Sequence, residues 1–318
     1  MDITVREGGK PMHDHLNAVD TQAKSDASYP HAEEKAAKKR KRIIAVAAPI
    51  AAACIAFAIV FATLIIPGNK LNKAKKLIGS GNYKAAYDLL DNFDYKNSRE
   101  LRESIRPQYL KALISEAEIG STVFFGAYEQ DNDTADGKEE IEWIVLAKEG
   151  DRALVISKYA LDCRLYHPSM SDVTWETCSL RKWLNGPFMD AFGDEERGCI
   201  LDTVVTADAN PEFNTPPGND VTDKVFLLSI TEACKYFGSD EARKCSATDY
   251  AKAQGVWKSS RHTTGGKSAC WWLRSPGSLA DHAAIVLDEG SVETDGRGVF
   301  NILGGIRPAM WIDLGAGN

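Results

Sequence analysis

IIAVAAPIAAACIAFAIVFATLII, Ile43 to Ile66, is a run of 24 residues without a charge. Wound as an α-helix it would reach about 36 Å, against a bilayer hydrocarbon core of about 30 Å. The run predicts a transmembrane helix with membrane lipid as its partner. Lys38, Lys39, Arg40, Lys41 and Arg42 stand immediately before it. Lysine and arginine collect on the cytoplasmic side of a span, so the expected topology is single-pass in the cell membrane, N-terminus cytoplasmic and C-terminal domain extracellular. Lys70, Lys73, Lys75 and Lys76 flank the other end as a looser cluster, which the five-residue block outweighs. Ala56-Phe57-Ala58 has the small-x-small form of a signal-cleavage site but lies inside the apolar run, and Ala51-Ala52-Ala53-Cys54 only faintly resembles a lipoprotein site. An intact anchor is expected.

The span divides the chain into four stretches. Residues 1–34, rich in Asp, Gly, Ser, Pro and His, read as a disordered cytoplasmic tail, and 35–66 as a basic juxtamembrane segment and the transmembrane helix. Residues 67–119 read as a helical stalk and 120–318 as an α+β domain. The last of these carries 19 basic and 31 acidic residues, a net −12. Such a domain repels phosphate backbones, so nucleic acid is not an expected partner.

In the stalk, Leu71, Ala74, Leu77 and Ile78 share one helical face, and Gly79-Ser80-Gly81 closes that helix. Tyr83, Ala86, Tyr87 and Leu90 mark a second helix, and a third is expected from about Asn97 to Ala117. Gly81 to Leu90 looks like the turn and second helix of a tetratricopeptide unit. A solenoid needs about three such units, so a stalk is the better reading. From Gly120, strands are predicted at Val123–Tyr128, Ile141–Leu146 and Ala153–Ser157. A helix over Cys178–Asn185, capped by Thr177, turns Leu180, Trp183 and Leu184 inward. Helical turns at Ala191-Phe192 and Glu195–Leu201, a short strand at Val225–Ser229 and a helix at Thr231–Phe237 follow, with Arg261–Lys267 reading as mobile. Strands return at Ala269–Arg274, Ala283–Leu287, Val292–Glu293, Val299–Leu303 and Ile306–Ile312. The first and last strands are expected to pair.

Chemistry-bearing patterns are scarce. No G-x-S-x-G, HExxH, P-loop or GxGxxG occurs, and His167, His262 and His282 fall in separate predicted loops without metal-ligand spacing. Six cysteines (Cys163, Cys178, Cys199, Cys234, Cys245, Cys270) follow the span, and none forms a CxxC. They admit disulfides and buried free thiols alike. Asp131-Asn132-Asp133-Thr134-Ala135-Asp136-Gly137 resembles a calcium loop, but Ala135 occupies a ligand position and the glycine comes one place late. A solvated hairpin loop is the expectation, with no metal and no cofactor.

Three motifs carry a family resemblance: Trp175-Glu176-Thr177-Cys178-Ser179-Leu180-Arg181-Lys182-Trp183-Leu184-Asn185, Trp271-Trp272-Leu273-Arg274-Ser275-Pro276-Gly277 and Gly305-Ile306-Arg307-Pro308-Ala309. Together they resemble a bacterial family of membrane-anchored domains of unknown function. The closing Gly-x-Arg-Pro element is also similar to the formylglycine-generating-enzyme branch of the C-type lectin fold. That likeness implies a C-type-lectin-like α+β domain. Its copper chemistry would need two nearby cysteines, and only Cys270 lies in the right neighbourhood. A non-catalytic binding module for a glycan, peptide or cell-wall ligand is therefore expected. The alternatives are an enzyme with a degenerate site of that kind, or a purely structural envelope protein. The candidate ligand site is a cleft walled by Trp257, Trp271 and Trp272, with Arg274, Ser275 and Arg307 reaching an anionic group. Against this stands the reading of Arg274 and Arg307 as buried arginines clamped by core carboxylates or carbonyls.

Overall fold

The computed structural model describes residues 30–256 and 268–315, and the chain divides into two compact units, Met1–Ile65 and Ile66–Asn318. The first unit is α1 (Pro30–Val60) followed by a π-helical turn, Phe61–Ile65. Thr63 donates its hydroxyl to the Ile59 carbonyl at 2.7 Å, satisfying one backbone acceptor within the apolar run. Ile43, Val46, Ile55 and Phe57 are each more than half exposed, as lipid-facing side chains would be. Among the described residues one helix is long and apolar enough to cross a membrane. Residues 1–29, most of the expected tail, lie outside the described residues.

The second unit opens with α2 (Ile66–Gly79), α3 (Tyr83–Leu90), α4 (Ser98–Ser104) and α5 (Arg106–Glu116). Asn82 caps α3 by accepting the Ala85 N–H at 3.2 Å. Leu71, Ala74, Ala86, Tyr87, Leu90 and Ile105 form a small core of their own, with the Tyr87 and Tyr109 rings stacked 3.9 Å apart. The single helix expected over Asn97–Ala117 is two, broken at Ile105, because Pro107 can donate no N–H and is tolerated only in a first turn. Leu110 and Ile114 on α5 belong to the core of the sheets that follow.

Those sheets are built from β1 (Thr122–Tyr128), β2 (Glu139–Glu149), β3 (Arg152–Ser157), β4 (Asp162–Arg164), β5 (Thr203–Val205), β6 (Val221–Asp223), β7 (Trp271–Pro276), β8 (His282–Val286), β9 (Val292–Gly298), β10 (Gly304–Ile306) and β11 (Ala309–Asp313). Between β4 and β5 lie α6 (Ser179–Leu184), a 3-10 turn Pro187–Ala191 and α7 (Asp194–Arg197). Between β6 and β7 lie α8 (Ile230–Tyr236), α9 (Asp240–Arg243) and α10 (Asp249–Ala253). One sheet runs β1-β2-β3-β11, the second β4-β10-β7-β8-β9, and β5-β6 form a ribbon. The fold is α+β. The last strand shares a sheet with the first but pairs with β3, not β1, placing Met310 opposite Val155.

Several local expectations change. Val225–Ser229 is not a strand; only Phe226 bridges, to Ala309. Val299–Leu303 is a turn, and Ile306–Ile312 is split into β10 and β11 at Arg307-Pro308, where Pro308 has no N–H for a ladder. The cap of α6 is Cys178, whose Sγ accepts the Arg181 N–H at 3.4 Å, rather than Thr177. His282 opens β8 instead of lying in a loop. None of the seven cysteines is joined in a disulfide. The segment expected to be mobile, Arg261–Lys267, lies outside the described residues.

Candidate functional site

β7 is the centre of the five-stranded sheet, and every residue from Trp271 to Pro276 is buried. Alternation along a strand would expose one of two adjacent tryptophans only if one face of the sheet met water. Here both faces are covered, so Trp271 and Trp272 are each fully buried, with their indole N–H groups donating to the Arg243 carbonyl (3.2 Å) and the Arg164 carbonyl (2.9 Å). Ser275, also buried, accepts the Ile230 N–H at 3.0 Å. Trp257 and His262 lie outside the described residues.

Arg274 is a clamp. Its guanidinium is paired with Glu232, donates to the Leu227 carbonyl at 2.9 Å and lies 3.5 Å from Asp208. Arg307 is held differently. Nε donates to the Ser157 carbonyl at 2.8 Å, and the guanidinium sits 4.9 Å from the Phe237 ring and 5.1 Å from the Trp271 ring. Burial pulls its pKa below the usual arginine range. Nη1 has no hydrogen-bond partner among the described residues. These five residues gather in the interior, where they fix how β7, β10 and α8 meet; they do not wall an open cleft.

An open cleft of about 360 Å³ lies elsewhere, between the β4 end and α6, lined by Arg164, Pro168, Ser179, Trp183 and Leu303. Leu180 and Leu184 turn into the core as the helical spacing requires, but Trp183 stays at the rim of that face, half-buried. The Arg164 guanidinium lies 4.1 Å over the Trp183 ring. Its Nε is tied at 3.0 Å to Asp162, which is almost fully buried and also accepts the Tyr128 hydroxyl at 2.6 Å. Burial first and the Asp162 charge second push the Tyr128 pKa upward, so its proton stays in that bond. The two terminal nitrogens of Arg164 make no hydrogen bond among the described residues. Burial likewise pushes the Cys163 thiol up to about 12, which leaves it a poor nucleophile.

A second hollow, lined by Tyr87, Arg102, Arg106, Tyr109 and Glu140, has its two arginines already paired: Arg102 with Asp91 at 2.9 Å and Arg106 with Glu196 at 2.6 Å. The Arg164 cleft was missed in sequence because Trp183 and Arg164 are separated by a loop, and a three-residue strand such as β4 leaves no periodic signal.

The fold also explains the Trp175–Asn185 stretch. Trp175 donates to Asp223 at 2.9 Å and Arg181 to the same carboxylate at 2.8 Å, while Asn185 bonds the backbone of Lys224 and Val225. Burial holds Asp223 above the usual carboxylate range, against the pull of Trp175 and Arg181. Among the described residues one group of carboxylates is placed to share a metal ion: Glu129, Asp131 and Glu139.

No curated protein and no solved structure matches the chain. The family described as Domain of unknown function (DUF6273) matches residues 150–314, more than half of the chain, and that span contains all three motifs, α6, β7 and the Arg164 cleft but not β1. The chain belongs to the DUF6273 family.

Proposed function

We propose that the protein is a single-pass membrane-anchored surface protein whose α+β domain, outside the cell, is a non-catalytic binding module for a carboxylate-bearing cell-wall glycan. The basic block before the apolar run supports the topology, and the helices α2 to α4 would serve as its stalk. The C-type-lectin-like reading of the domain rests on its closing Gly305-x-Arg307-Pro308 motif and belongs to the same proposal.

One observation carries the ligand reading: Arg164 is anchored through Nε by the buried Asp162, leaving the two terminal nitrogens as a prepositioned fork at the mouth of the cleft. Such a fork matches a carboxylate in two parallel bonds, and fixing it beforehand lowers the entropy cost of binding. Trp183, Pro168 and Leu303 supply apolar walls for a sugar ring, and the volume falls at the low end of the range of small-ligand sites. The test is binding of the detergent-solubilised protein to a panel of neutral and carboxylated glycans and peptidoglycan fragments. Carboxylated ligands should bind preferentially, and Arg164→Ala and Trp183→Ala should each weaken that binding at least tenfold while remaining folded. Unchanged binding in both variants, or equal binding of neutral and acidic glycans, overturns the proposal.

A further inference from the structure

The β1–β2 hairpin ends in a group of three acids. Glu129 follows β1, Glu139 begins β2, and Asp131 stands in the loop between them; one ligand oxygen from each lies within 4.8 Å of the other two. Oxygens bound to one Ca²⁺ sit about 2.3–2.6 Å from it, so two of them can be at most about 5 Å apart. The three meet that limit together. None is within salt-bridge distance of a lysine or arginine among the described residues, whereas Asp162, Asp223 and Glu196 each have an arginine.

Glu129 is the telling member. It is only 9% exposed, and its Oε1 is buried with no hydrogen-bond partner among the described residues. A buried, unpaired carboxylate oxygen costs free energy unless something positive meets it. The loop meanwhile fixes the other two acids by one oxygen each. Glu139 Oε2 accepts the Gln130 N–H at 2.6 Å and the Asp131 N–H at 3.3 Å, and Asp131 Oδ1 accepts the Asp133 N–H at 2.8 Å. Oε1 of Glu139 and Oδ2 of Asp131 are left out of those bonds.

We infer that Glu129, Asp131 and Glu139 form a site for a hard divalent cation, Ca²⁺ in preference to Mg²⁺, that fastens the end of the β1–β2 hairpin. All donors are oxygens, which excludes a preference for thiolate- or imidazole-loving metals. The ligands flank a loop with positive φ at Asn132 (68°) and Gly137 (120°), and two of the three side chains border solvent. An irregular, partly hydrated shell of that kind suits Ca²⁺ better than the strict octahedron of Mg²⁺. The EF-hand register fails because the ligands are not spaced along one loop; they face each other across the hairpin, with Tyr128 and Glu139 paired in the ladder. The site also adjoins the Arg164 network: the Gln130 carbonyl, between two of the ligands, accepts the Tyr250 N–H at 2.9 Å, and the Tyr250 ring meets Tyr128 edge-on at 6.0 Å.

The test is calorimetric titration of the full-length protein in detergent with CaCl₂ and with MgCl₂, alongside its melting temperature with and without Ca²⁺. One Ca²⁺ should bind with a dissociation constant on the order of 10⁻⁴–10⁻³ M, as in other extracellular modules, and raise the melting temperature. Glu129→Gln and Glu139→Gln should weaken Ca²⁺ at least tenfold, while Glu241→Gln, on an exposed acid of α9 paired with Lys244, should leave it unchanged. Glu129→Gln removes a buried charge whose Oε1 has no hydrogen-bond partner among the described residues, so it should melt no lower than the wild type without Ca²⁺. Asp131→Asn, on an exposed side chain, should show the same loss of Ca²⁺ binding without touching the buried residue. Absence of saturable Ca²⁺ binding up to about 10 mM, or affinity unaltered in Glu129→Gln and Asp131→Asn, overturns the inference.

Discussion

Arg274 and Glu232 are joined by two guanidinium–carboxylate contacts at the N-terminus of α8, and the same Glu232 accepts the Ser229 N–H at 2.9 Å as the closing member of a capping box. One carboxylate thus ends a helix and neutralises a buried arginine. Removing Arg274 strips Glu232 of its partner in a nearly dry setting. Arg274→Ala should destabilise the protein by about 3 kcal/mol, at the low end for a broken buried pair because Glu232 keeps a quarter of its exposure. Arg274→Lys should not restore stability, since an ammonium cannot reach Glu232, the Leu227 carbonyl and the Thr206 carbonyl together. Urea unfolding of the solubilised protein measures both.

The two tryptophan environments separate structure from binding. Trp271→Ala empties a fully buried site in the central strand and should cost about 3–5 kcal/mol, seen as a lower melting temperature or loss of folded protein. Trp183→Ala, at the rim of the cleft, should cost under about 1.5 kcal/mol. A larger loss from Trp183 than from Trp271 would contradict the assignment of each.

Gly126 lies in β1 at a break in the pairing with β2, with φ 66°, and a Cβ there would come within 2.7 Å of the Phe192 ring. Gly126→Ala should destabilise by about 1–3 kcal/mol through backbone strain and displacement of Phe192, measured by thermal unfolding.

Free thiols make a redox and a pH prediction. Dithiothreitol should leave the melting temperature unchanged, and a thiol reagent should modify Cys234 in the folded domain while sparing the five buried cysteines. Burial raises the Cys163 and Cys178 thiols to about 12, above the unfolded value of about 8.5. Between those values the native chain holds protons the unfolded chain has lost. Stability should be fully present below about pH 8.5 and fall as the pH rises from there. A melting temperature flat from pH 8 to 10 would contradict this burial.

The sequence made the apolar run, the first hairpin and α8 readable because each carries a strong periodic or compositional signal. Arg274 and Arg307 were visible as arginines among apolar residues, yet the partner of each lies far along the chain: Glu232, 42 residues away, and the Ser157 carbonyl, 150 residues away. No local pattern names such partners. The adjacent tryptophans suggested a wall, whereas covering of both sheet faces is a tertiary property. Glu129 and Glu139 escaped notice for a related reason: strand pairing brings them together, and a loop template searches only along the chain.

Every role proposed for the Arg164 cleft requires the α+β domain to lie outside the cell. Cys234 is the exposed thiol of that domain, so a membrane-impermeant maleimide applied to intact cells, followed by peptide mapping, reads its side directly. Labelling of Cys234 in intact cells is the predicted result. Labelling only after the membrane is permeabilised would contradict it.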